Sequence, residues 1–181
     1  RSVLALKLSW KQNLPIALFL GGVHSREMIP PDLLILLTAD LLEAKKYGKG
    51  LRYEGKYFTA DEIKELTESI SLIVIPCVNP DGRHHVITSD ANWRKNRNPR
   101  HGQGTSTCCG VDLNRNFPFL WDHLSKFSTS AGVMTSDKPC DKNIFRGDNA
   151  GSEPETQNVI HILDTYPDIL WMIDIHSAVP A

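Results

Sequence analysis

With 181 residues, 41% of them apolar and 23% charged, the chain has the size and composition of one globular domain with a sizeable core. A formal net charge of −1 gives no electrostatic reason to expect nucleic acid or an anionic membrane as partner. No apolar run approaches the roughly 18 residues of a membrane span; the longest, "LLILLTADLL", is interrupted by Thr38 and Asp40.

Arg1 leads directly into "SVLALKL", an alternating strand-like run, so no leader is expected within this sequence and the start reads as partway into a domain. "IALFLGG" predicts a second strand, buried on both faces. "PPDLLILLTADLLEAKKYG" predicts a helix, with proline at its start, Gly48 at its end, and Leu33, Leu34, Leu37, Leu41 and Leu42 on one face. "TADEIKEL" opens with a capping box, Thr59 with Glu62, and predicts a short helix. "SLIVIPCVN" predicts a buried strand that ends in the turn signal "NPDG".

From Arg83 to Ile144 the periodicity fails. This polar stretch, rich in Gly, Ser, Thr, Asn and Pro, is too long for an idle connection and reads as functional surface or disorder. "SEPETQNVIHIL" then predicts a helix with a capping box of Ser152 and Glu155, and "ILWMIDIHS" a last buried strand. The alternation predicts an α/β fold, a mixed and largely parallel sheet flanked by helices, in a single domain over 1–181. Cys77 reads as a buried thiol, and Cys140 as a bridging partner for Cys108 or Cys109.

Ligands in open α/β sheets gather beyond the carboxyl ends of the strands. His24 and His176 both stand at such ends, and Glu27 follows His24 at three residues. Two imidazoles and a carboxylate form a His₂Glu set, which suits one catalytic Zn²⁺ with a position left open. "GVDLNRNF" adds Asn114 and Arg115, whose amide and planar guanidinium can clamp a carboxylate. Asp112 can take the second ring N–H of a zinc-bound histidine. The bland readings are His84 and His85 as solvent-exposed loop residues, His161 as helix surface, and Trp93, Phe117 and Trp121 as packing. Lys95, Arg97 and Arg100 read as a solvated basic face, although Arg97 could meet substrate.

"HSRE", "NPDG", "WRKNR", "GVDLNRNF", "SEPET" and "DIHS", in that order, resemble the zinc metallocarboxypeptidases of the carboxypeptidase A/B and bacterial carboxypeptidase T type, from about Ile16 to Ser177. The resemblance implies an exopeptidase that hydrolyses the C-terminal peptide bond of peptides carrying a free C-terminal carboxylate. It implies His24, Glu27 and His176 as zinc ligands and Asp112 as the partner of a ligating histidine. Arg94 would polarise the scissile carbonyl, Asn114 and Arg115 would hold the terminal carboxylate, and Arg26 would line the substrate path. It also implies a secreted or periplasmic location, consistent with a disulfide, and allows for a propeptide.

The family's general-base glutamate and substrate-closing tyrosine would lie beyond Ala181. Glu153 and Glu155 are poor substitutes, because "SEPET" belongs to a helix start. The expectation is therefore a truncated catalytic domain, inactive as 181 residues alone. Two other readings stay open: a zinc deacylase of the same fold, which the "NRN" clamp argues against, and a non-catalytic carboxypeptidase-like binding module, which the intact ligand set argues against.

Overall fold

The computed structural model describes residues 1–104 and 106–177. Its centre is a four-stranded mixed sheet in the order β1-β5-β2-β6, from β1 (Leu6–Leu8), β2 (Ile16–Gly21), β5 (Ser71–Ile75) and β6 (Ile169–Ile175). β1 runs antiparallel to β5, while β5, β2 and β6 run parallel. The helices are α1 (Ile29–Tyr47), α2 (Ala60–Ser69), α3 (Pro80–Thr88) and α4 (Pro154–Thr165). A hairpin of β3 (Leu51–Tyr53) and β4 (Lys56–Phe58) follows α1.

Period-2 alternation sorts the central strands into two cores. Ile16, Leu18 and Leu20 of β2 and Ile73 and Ile75 of β5 face one way and pack with Val159 of α4 and Leu113. Ala17, Leu72 and Val74 face the other way and pack with Leu34, Leu41 and Ala44 of α1 and Ile63 of α2. Because both faces are covered, β2 and β5 read as unbroken apolar runs. Among the described residues no helix is long and apolar enough to cross a membrane.

Several expectations are refined. α1 starts on its prolines and stops at Gly48, whose φ of 60° is the left-handed conformation glycine takes without strain. Its buried face, however, is Leu34, Thr38, Leu41 and Ala44, and Leu33 and Leu42 are exposed. The Thr59–Glu62 capping box of α2 is formed in both directions. The first strand is only Leu6–Leu8, paired with Val74, Ile73 and Leu72 of β5. The β3–β4 hairpin, unanticipated, turns through Glu54 and Gly55, both at positive φ.

"NPDG" is a helix start rather than a plain turn. Asn79 caps α3 by accepting a hydrogen bond from the Gly82 N–H, with Pro80 in the first turn. His84 is therefore helical and exposed, while half-buried His85 packs edge-on against Trp93. Cys77 is half-buried rather than fully buried. At α4 the Ser152–Glu155 capping box does not form, and Glu153 takes the cap position without a side-chain cap bond. Both glutamates are drawn inward instead: Asn96 Nδ2 donates to Glu153 Oε2 at 2.7 Å and to Glu155 Oε2 at 3.1 Å. β6 was expected to be buried, but Leu170 and Trp171 are 64% and 51% exposed. Among the described residues β6 pairs only with β2, and the two cores touch it only at Ile169 and Ile175.

Lys95 overturns the expected solvated basic face. It is completely buried, and its Nζ donates to the carbonyls of Thr107 (2.8 Å), Pro139 (3.1 Å) and Asp141 (2.7 Å). Burial pulls its pKa down to about 8, which leaves it mostly an ammonium at neutral pH. These carbonyls flank the two cysteines of the Cys108–Cys140 disulfide, and Cys109 is a free buried thiol. Disulfide and lysine together clasp the long polar segment.

Two predictions follow from the clasp. Reducing Cys108–Cys140, which closes a loop of 32 residues, should lower unfolding stability by about 3–4 kcal/mol in the chain-entropy model; urea titrations with and without reductant measure it. Lys95→Met keeps the packed stem but strands three carbonyls. It should cost about 2–4 kcal/mol, read from the shift in urea midpoint, whereas Arg100→Met at the exposed surface should cost under about 0.5 kcal/mol.

Candidate metal centre

The parallel β2–β6 ladder sets the site. Gly21 pairs with Ile175 at the carboxyl end of the two strands, so the chain leaves both strands at one level and delivers His24 and His176 to one place. Gly22, at φ 61°, turns β2 into the "VHSRE" loop in a conformation L side chains avoid. That loop is anchored from below. Ser25 N donates to Arg94 O at 3.1 Å, Ser25 Oγ to Trp93 O at 2.7 Å, and fully buried Asn79 bridges Val23 O and Lys95 O, both at 3.2 Å. Gly82 permits this approach, since a Cβ there would lie 2.7 Å from Ser25 Cβ.

At the centre is Glu27, buried with one oxygen toward each histidine. His24 Nδ1 lies 2.8 Å from Oε1, and His176 Nδ1 lies 2.7 Å from Oε2. The Ser177 N–H also donates to Oε2, at 3.3 Å. The two rings stand 4.6 Å apart. The other nitrogen of each ring also meets a carboxylate: His24 Nε2 is 3.2 Å from Asp112 Oδ1, and His176 Nε2 is 2.8 Å from Asp174 Oδ2. Ligand atoms of His24, Glu27 and His176 lie within 4.8 Å of one another. Two imidazoles and a carboxylate at such spacing could hold a zinc ion, with the second nitrogens held by carboxylates as such sites require.

The charges are strongly coupled. Burial pushes the Glu27 pKa up, but hydrogen bonds from His176 and His24 outweigh it and hold the carboxyl far below the usual range. Hydrogen bonds to Asp174 and Glu27 push His176 up to about 10 against the opposing effect of burial. Asp112 is similarly raised by burial and lowered further by the His24 bond and the Arg94 charge, ending below its ordinary value.

Arg94 lies against this cluster. Its Nε and Nη2 donate to Asp112 Oδ2 at 3.2 and 3.0 Å, its Nε also to Asn143 O at 3.1 Å, and its Nη1 stands 3.9 Å from Glu27 Oε1. Arg26 lies to one side, with Nη1 donating to Asn92 O and Asn143 Oδ1, both at 3.3 Å. Asn114 reaches the cluster, with Nδ2 3.2 Å from His176 Nε2 and 3.4 Å from Asp174 Oδ2. Arg115 follows it and donates to Met134 O at 2.6 Å and Asn114 O at 3.0 Å. Asn114 and Arg115 border a cleft of about 580 Å³ walled by Phe117, Trp121, Val133 and Met172. Arg97, by contrast, stacks on Trp93 at 4.5 Å and donates to Gly104 O.

All eight expected site residues therefore fall in one region, with Arg26 and Arg115 at its margins. The sequence reading passed over Asp174, Asn79 and Asn143. Asp174 carried a usable signal: it stands two residues before His176, and alternate strand residues share a face. Asn79 was hidden inside a turn motif, and Asn143 lies in a stretch with no periodicity to interpret.

Comparison with known proteins places the chain in a family. A family model described as zinc carboxypeptidase matches residues 1–179. Carboxypeptidase B of Helicoverpa zea is 32% identical over 152 residues, 84% of this chain and 29% of that protein. Metallocarboxypeptidase A of Arthroderma otae is 31% identical over 172 residues, 92% of this chain and 34% of that protein. The crystal structure of thrombin activatable fibrinolysis inhibitor superposes with a TM-score of 0.74 at 26% identity, covering 97% of this chain and 39% of that one. The chain thus spans about a third of the length of these relatives. The family model spans every strand and helix described above, and the chain belongs to the zinc carboxypeptidase family.

Proposed function

We propose that the protein is a zinc-dependent exopeptidase that hydrolyses the C-terminal peptide bond of peptides with a free terminal carboxylate, and that residues 1–181 are part of one catalytic domain. The observation that carries this reading is the convergence of both histidine Nδ1 atoms on Glu27, beside Arg94 and the Asn114–Arg115 pair. His24, Glu27 and His176 would hold the ion through these facing atoms, leaving each Nε2–H to a carboxylate. When bound, zinc supplies Lewis acidity and the means to activate water at neutral pH.

The chain's own residues do the rest. Asp112 holds His24 in orientation and fixes Arg94 through two nitrogens on one oxygen. The remaining nitrogen of Arg94, near Glu27, is placed to share the negative charge that develops on a carbonyl oxygen under attack. Asn114 and Arg115 offer an amide and a guanidinium to a cleft walled largely by apolar side chains, a suitable reception for a terminal carboxylate and its side chain. Arg26 lines the approach. Glu153 and Glu155, committed to Asn96 and Asn98, have no part in this chemistry. The Cys108–Cys140 disulfide supports an oxidising setting, either extracellular or periplasmic.

The direct test is zinc-dependent release of the last residue from a peptide, compared with an N-acyl amino acid and with the C-terminally amidated peptide. Preference for the amidated peptide or the N-acyl amino acid would overturn the reading. Arg94→Ala should lower kcat by about 10²–10³-fold, the equivalent of about 2.7–4 kcal/mol, with zinc content by atomic absorption unchanged. Arg115→Ala should chiefly raise KM and shrink the preference for free acid over amide by about tenfold or more, the loss of a charged hydrogen-bond partner; steady-state kinetics on the paired substrates read this directly.

A further inference from the structure

Asp174 is an unusual residue for its position. The strand "ILWMIDI" is otherwise wholly apolar, and aspartate is among the residues strands disfavour most. It forms no ion pair with a lysine or arginine among the described residues, so surface charge pairing does not explain it. Its Oδ2 is instead the meeting point of two donors, His176 Nε2 at 2.8 Å and Asn114 Nδ2 at 3.4 Å. Asn114 Nδ2 also lies 3.2 Å from His176 Nε2. Once the imidazole Nδ1 is a ligand, Nε2 carries the proton, and an amide N–H₂ and a ring N–H cannot bond each other. Both must turn to a common acceptor, and Asp174 Oδ2 is the one in place.

We infer that Asp174 is a positioning residue with two duties: it fixes the ring orientation of His176 for metal binding, and it aims the Asn114 amide that the proposed carboxylate clamp uses. The first duty is the counterpart of what Asp112 does for His24, at the other imidazole. The second rests on the exopeptidase reading above. Together they couple the metal site to the clamp through one oxygen atom, so that metal affinity and recognition of the terminal carboxylate change together when it is removed.

The experiment compares the parent protein with Asp174→Asn, which keeps shape but removes charge, and Asp174→Ala, which removes the acceptor. Zinc affinity is measured by competition with a chromophoric chelator, and site symmetry by the visible spectrum of the cobalt(II)-loaded protein. Asp174→Ala should weaken zinc about 10–100-fold, Asp174→Asn less, and both should shift the cobalt spectrum while the metal-free proteins unfold at the parent's midpoint. In kinetics at saturating zinc, KM for a free-acid peptide should rise more than kcat falls. Zinc affinity and cobalt spectrum unchanged in both variants, while His176→Ala loses the metal, overturns the inference and leaves the metal site standing. A normal zinc affinity in His176→Ala overturns the metal-site reading and this inference with it. A zinc defect with KM unchanged overturns the coupling to Asn114.

Discussion

A carboxylate buried at the end of a parallel sheet must find positive charge or lose its own. Glu27 is that carboxylate, and its burial organises everything around it. Each of its oxygens meets one imidazole nitrogen, which fixes the two rings relative to each other. The rings then need acceptors on their far sides, and Asp112 and Asp174 supply them. Asp112, completely buried, also meets Arg94, which places two nitrogens on its second oxygen. The shell is therefore a chain of electrostatic necessities rather than a collection of separate polar residues.

What keeps these loops in place is not regular structure. Between the end of α3 and the start of α4 only short 3-10 turns and one isolated bridge, Ser136 with Phe145, occur among the described residues. The segment is held by buried amides. Asn79 ties "VHSRE" to the backbone at Lys95; Asn96 ties the next residue to Val111 and to the glutamates at the start of α4; Asn116 bonds Arg146 O, Asn149 O and Glu153 N. A side-chain amide both donates and accepts, so it can satisfy backbone groups that no ladder reaches. Lys95 does the same for three carbonyls at once. The cost is that each of these residues is buried and polar, so removing any one strands its partners.

This also explains what was legible in the sequence. Elements governed by local rules were plain: the proline-to-glycine span of α1, the capping box of α2, and the apolar runs of β2 and β5. The α4 capping box failed because the helix is capped at Glu153 rather than Ser152, and Glu155 instead meets Asn96, distant in sequence. The basic face failed because nothing local tells a lysine that it will meet three carbonyls beside a disulfide. Cys140 had two candidate partners by sequence, and tertiary placement selected Cys108. Of the candidate site, His24 and His176 were legible because they follow strand ends that the parallel β2–β6 pairing brings together. Asp174 was readable in principle from its spacing to His176, but its oxygen's second donor, Asn114, lies 60 residues away.

The charge of the cluster is its most telling property. Asp174, Glu27 and Asp112 bring three carboxylates into one hydrogen-bonded chain, and Arg94 brings one cation. With both imidazoles neutral, that leaves a local charge of −2 in a mostly buried place. Protons on the rings can offset it, and hydrogen bonds to Asp174 and Glu27 raise the pKa of His176. A divalent cation among the three facing ligand atoms would offset it more completely, releasing those protons as it bound. Mononuclear zinc needs just such a set, with donors close enough to converge and surroundings negative enough to repay desolvating the ion. The same surplus argues against a site built for an anion alone, since without a cation the centre carries net negative charge.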